Sequence, residues 1–151
     1  FYYFAGQIEL LEIPSNWQSV SASDINDQGY ISGHGFYFDS KLGFYVLRPL
    51  LWTPTHQIRN LPELSGFNST AAWSINDCNE LTGVAMPDDG SNPEDYRAFV
   101  TIGNSIYNLN ELIPAGTSWQ LIRGHAINNR GEIIGLGLFK GIWHGFKLTP
   151  S

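Results

Sequence analysis

The chain has 151 residues, a net charge of -6 and one cysteine, Cys78. Hydrophobic residues make up 42%, enough for the core of one domain, while 16 glycines and 14% aromatics against 15% charged residues point to an all-β protein rich in tight turns. The acidic balance argues against a nucleic-acid partner, a lone cysteine excludes an intramolecular disulfide, and no apolar run reaches the roughly 18 residues of a membrane span. The missing disulfide suits a reducing cytosol and a disulfide-free secreted protein equally well. With Phe1 in place of Met and no signal peptide, processing or truncation is expected.

Residues 1–13, FYYFAGQIELLEI, match the end of a third strand plus a fourth strand of a repeating unit whose full copies follow. Three such copies align on Ile25-Asn26-Asp27-Gln28-Gly29, Ile75-Asn76-Asp77-Cys78-Asn79 and Ile127-Asn128-Asn129-Arg130-Gly131. An aromatic stands eight residues before each Ile (Trp17, Phe67, Trp119), and a glycine eight residues after it (Gly33, Gly83, Gly135). This spacing divides the single repeat domain 1–151 into the strand segment 1–13, a first unit at 17–64, a second at 67–112, and a third at 119–151 that lacks its last strand.

Each unit reads as four short antiparallel strands. The first ends at the Ile-Asn pair. The turn that follows needs an asparagine that can bond back to it and a left-handed residue, which makes Asn26, Gly29, Asn76, Asn79, Asn128 and Gly131 structural. Second strands end in glycine (YISG, ELTG, EIIG), and third strands are 48–52, 97–101 and 144–148. Fourth strands lie in 56–64 and 104–112, where Ile58 and Leu61 align with Ile106 and Leu109, and with Ile8 and Leu11 of the N-terminal segment. A short helical turn is expected within 111–119. The fold class is an all-β, propeller-like array of about three four-stranded antiparallel units. The N-terminal strand completes the C-terminal unit of its own or a neighbouring chain, since pairing the termini removes an open edge.

The copies differ most between strands two and three. The first carries an aromatic stretch, 33–47, in which Phe36, Phe38, Phe44 and Tyr45 form either a plain strand extension or a platform for sugar rings or a protein. The second carries an acidic loop in which Asp88, Asp89, Asn92, Glu94 and Asp95 offer hard oxygen ligands for calcium, although Gly90 and Pro93 equally suit a plain exposed loop. The turn carboxylates Asp24, Asp27 and Asp77 are either solvated or gathered around a cation. His34, His56, His125 and His144 lack paired ligand spacing, no serine sits in a nucleophile elbow, and Cys78 has no base beside it in sequence. No catalytic residue is assigned.

Residues 110–150 resemble the C-terminal part of bacterial HAF-repeat proteins. The matching residues are Leu109-Asn110, Leu112-Ile113-Pro114-Ala115-Gly116, Trp119, Ala126-Ile127-Asn128, Gly131, Ile133-Ile134-Gly135 and His144-Gly145-Phe146. Arg97-Ala98-Phe99 and Arg48-Pro49-Leu50 are degenerate copies of the tripeptide, and Gly145 departs from it. The resemblance implies an extracellular or cell-surface, propeller-like protein with no catalytic residues to carry over. Such relatives often continue past Leu-Thr-Pro into a sorting tail; with Ser151 last, any anchor is expected to have been removed or never present. The expected function is a non-enzymatic extracellular binding or structural module that partners itself or a glycan or protein surface. A carbohydrate-binding lectin using residues 36–46 is the alternative, and a propeller-type glycoside hydrolase stands behind both. Calcium is the single cofactor candidate.

Overall fold

β-branched and aromatic residues between turn tetrads give strands wherever a face can be buried, and the computed structural model, which describes residues 6, 8–87 and 92–151, is built almost wholly of them. The first sheet runs β1 (Trp17–Ile25), β2 (Ile31–Asp39), β3 (Phe44–Trp52), β4 (Ile58–Asn60), in that spatial order. The second repeats it with β5 (Ser69–Ile75), β6 (Leu81–Met86), β7 (Arg97–Ile102) and β8 (Ser105–Asn108). In the third, β10 (Ile133–Phe139) lies between β9 (Trp119–Ile127) and β11 (Ile142–Leu148), which leaves β11 at an edge without a fourth strand among the described residues. All pairings are antiparallel, so the expected meander holds in each unit. Among the described residues the sheets do not close on one another, and no helix is long and apolar enough to cross a membrane.

The sheets pack in series. β5 lies against β2 and β3, and β9 lies against β6 and β7. Leu51, Ala72, Ile75, Leu81 and Phe99 fill the first junction. Ala98, Val100, Leu109, Leu121, Ile127, Ile133 and Phe146 fill the second. Close approach needs small residues: Ala72 is fully buried, and a Cβ on its counterpart Gly124 would stand 2.0 Å from Thr82 Oγ1.

Several boundaries depart from expectation. The second strands run beyond their glycines, and 33–47 is strand and turn rather than a connection, with β2 paired to β3 out to Asp39↔Phe44. Gly83 is interior because a Cβ there would meet the Ala71 carbonyl oxygen at 2.0 Å, beside the Phe99 ring. Fourth strands are short, and the helical turn α1 (Leu109–Leu112) starts before 111, where Asn108 Oδ1 accepts from Asn110 N at 3.0 Å and caps it. Residues 8–16 form no strand and do not complete the third sheet of their own chain. They lie along the first sheet, with Glu12 O accepting from Trp52 Nε1 at 3.2 Å and Glu9 3.4 Å from His56. Residues 1–5 and 7 lie outside the described residues.

Candidate functional site

The turn tetrads do more than turn. In each, the asparagine side-chain oxygen accepts from the amides two and four residues on: Gln28 and Tyr30 for Asn26, Cys78 and Glu80 for Asn76, Arg130 and Glu132 for Asn128. Gly29, Asn79 and Gly131 supply φ of 82°, 60° and 72°, as the spacing predicted. The other end of the amide then reaches the next unit. Asn26 Nδ2 donates to Asn76 O at 3.0 Å and to Asn79 Oδ1 at 2.9 Å, while Asn76 Nδ2 donates to Asn128 O at 3.1 Å. Beside these rungs, Asp27 N donates to Asp77 Oδ1 and Asp77 N to Asn129 Oδ1, both at 2.9 Å. One residue before each Ile, Asp24 Oδ2 accepts from Ser74 Oγ at 2.8 Å, and Ser74 Oγ accepts from Ile127 N at 3.3 Å. Asp24 and Asp77 are therefore ladder members, each held by the neighbouring unit.

At the third turn, Glu132 gathers the cations. Its carboxylate accepts from Lys147 at 2.6 Å, Asn128 at 2.7 Å and Arg130 at 2.5 Å. Lys147 foremost, then Asn128 and Arg130, hold its pKa down from 4.5 to about 2.

The aromatic stretch becomes the outer end of the β2–β3 hairpin. Cross-strand pairing sets Phe36 opposite Leu47 and Phe38 opposite Tyr45, so Phe36, Phe38 and Tyr45 share one face, and the Phe38 and Tyr45 rings meet edge to face at 5.2 Å. Phe44 pairs with Asp39 and falls on the other face. All four aromatics are more than 40% exposed, and three of them gather on one face. Around the hairpin's edge, Trp17 and Tyr37 line a polar cleft of about 840 Å³ with Glu12, Asp39, Arg48 and Glu63. Arg48 bonds Asp39 at 3.1 Å, Glu63 at 2.7 Å and the Asn68 carbonyl, so the two carboxylates that meet here are both tied to one guanidinium. A larger apolar cleft, about 1030 Å³, runs between the second and third sheets past Val100, Leu109, Ile133 and Leu148.

The acidic loop gathers into no site among the described residues. Asp88 and Asp89 lie outside them, Asn92 Oδ1 caps a 3₁₀ turn by accepting from Glu94 N at 3.1 Å, and Glu94 and Asp95 are exposed in that turn. The histidines are dispersed: His125 lies tilted against Trp73, and His144 meets Trp119 and Phe139 edge to face. The aromatic column splits. Trp119 packs into the second junction, Trp17 contacts Tyr37 within its own sheet, and Phe67 lies outside any strand. Sequence reasoning found the asparagine column but missed its reach between units, a spacing of about fifty residues being the available signal. It also missed Arg48, whose partners come from the end of β2 and a loop.

Compared with family models, curated proteins and solved structures, the chain matches none.

Proposed function

We propose that this chain is a non-enzymatic extracellular module acting by binding or assembly, a propeller-like array in which stacked units present surfaces rather than a reaction centre. The turn ladder carries this reading. Its repeated polar residues, Asn26, Asp24, Ser74, Asn76 and Asp77, hold unit to unit, and an asparagine amide that donates to the next backbone is no acid, base or nucleophile. The likeness of residues 110–150 to HAF repeats supports the extracellular placement. Two chains of three units would give six, within the usual propeller range of about four to eight. Light scattering on the chain, repeated without residues 1–13, tests the assembly form: a dimer or polymer lost on truncation supports it, and a monomer at every concentration sinks it.

The exposed Phe36, Phe38 and Tyr45 face beside the polar cleft favours a second reading, a lectin whose rings stack on sugars. Glycan-array binding that disappears in Phe38→Ala or Tyr45→Ala would support it. Silence on every glycan, with and without calcium, would end it.

A further inference from the structure

We infer that residues 8–10 of a second copy of this chain add to the free edge of β11 as the missing fourth strand, in one register. The inference rests on the assembly reading and names its partner and geometry. The register comes from the two complete sheets. In the first, Leu50, Leu51 and Trp52 pair with Asn60, Arg59 and Ile58. In the second, Phe99, Val100 and Thr101 pair with Asn108, Tyr107 and Ile106. The interior glycines Gly33, Gly83 and Gly135 sit opposite Leu50, Phe99 and Phe146, so Phe146, Lys147 and Leu148 occupy the same three positions of the third sheet. Ile8 holds the column of Ile58 and Ile106. A second copy then sets Ile8 opposite Leu148, Glu9 opposite Lys147 and Leu10 opposite Phe146. The central pair is a cross-strand ion pair on an open edge.

Exposure and charge agree. Ile8 and Leu10 are 88% and 91% exposed, while β11 has no outer partner among the described residues. Ile25 is 62% exposed where its equivalents Ile75 and Ile127 are 5% and 7%. At the opposite end Ile134 is 51% exposed where Ser32 and Thr82 are buried. Stacking one copy's first unit on another's third covers both. The third unit carries Arg123, Arg130, Lys140 and Lys147 against Glu132 alone, whereas residues 1–64 carry six carboxylates against Lys41, Arg48 and Arg59. Within a chain of net charge -6 the two ends are thus opposite in sign. The ladder is compatible too: Asn129 N continues to a partner Asp27, and Ala126, which cannot accept, faces an Ile25 amide already bonded to its own Asp24 at 2.9 Å. Glu9 would exchange His56 for the Lys147 ammonium.

The test places cysteines at the register pair in a Cys78→Ser background. Opposed strand residues lie within disulfide reach. Under mild oxidation a mixture of Ile8→Cys chains with Leu148→Cys chains should give a covalent dimer that neither variant gives alone. Glu9→Lys, a change at an exposed side chain, should weaken association at least tenfold, and adding Lys147→Glu with Glu132→Gln, which removes the carboxylate that Lys147 also holds, should recover it relative to Glu9→Lys with Glu132→Gln alone. Association without the cross-link overturns this register and leaves assembly standing. A monomer under all conditions overturns both. A cross-link formed within one chain carrying both cysteines, at monomer mass, assigns the edge to the chain's own N-terminal segment and overturns the second copy.

Discussion

In the first two units a single asparagine serves two turns at once, and its worth follows from burial. Asn76 is 2% exposed; its removal leaves the Cys78 and Glu80 amides without their acceptor and strips the Asn128 carbonyl of its inter-unit donor, with only the Gly131 amide left to it. Asn76→Ala should cost about 2–3 kcal/mol, read as a lower urea midpoint at unchanged slope, and the exposed Asn128→Ala about 1 kcal/mol. Equal losses at the two positions would show that the inter-unit rung carries nothing. Glu132 gives a pH test. Its folded pKa is depressed to about 2, so its contribution is fully present above its usual 4.5 and is lost as pH falls from there towards 2. Glu132→Gln should therefore melt below the parent at neutral pH, with the gap closing through that window; a gap independent of pH would reject the Lys147–Glu132 link. The turn role of these residues was legible because the φ requirement selects residue types locally. The partners of Nδ2 were not, since nothing in one turn says what stacks beside it.

At the scale of elements, glycine sets strand spacing. Gly83→Ala forces a Cβ into the Ala71 carbonyl and should destabilise by ~1–3 kcal/mol, whereas Gly103→Ala has open space around it and should lose only the ease of its φ of 61°. Thermal melts of the two separate crowding from backbone strain: a similar small loss in both would contradict the close approach. Strand ends at Ile25, Ile75 and Ile127 were readable from the turn that follows each. The glycines misled in the other direction. They look like terminators in sequence, yet each sits mid-strand because an aromatic from the next strand (Trp52, Phe99 or Phe146) crosses above it. Pairing out to Asp39↔Phe44 shows that residues 36–46 extend β2 and β3, which the aromatic alternation allowed; a strand can also carry a binding face, so the pairing does not speak to the platform reading.

For the whole molecule, the repeat period announced three units, and three sheets resulted. It was silent on closure, because the angle between neighbouring sheets is set by junction packing, here the small Ala72 and Gly124, rather than by any periodic residue. Ile75→Ala hollows the first junction and should cost about 2–5 kcal/mol, while Ile25→Ala should cost far less in dilute solution and more as concentration rises, if copies stack there. A concentration-independent melt for Ile25→Ala would remove that coupling. The polar ladder also has a direction. The asparagine rungs donate from an earlier unit to a later one, whereas in the companion column the later unit donates, and its acceptor passes from carboxylate at Asp24 through hydroxyl at Ser74 to methyl at Ala126. Such a column is vectorial: a permuted gene with the units in reversed order would set Ala126 where an acceptor is needed and strand Asp24 beyond the last amide, so the order of units is encoded at every junction and not merely inherited from the chain's continuity.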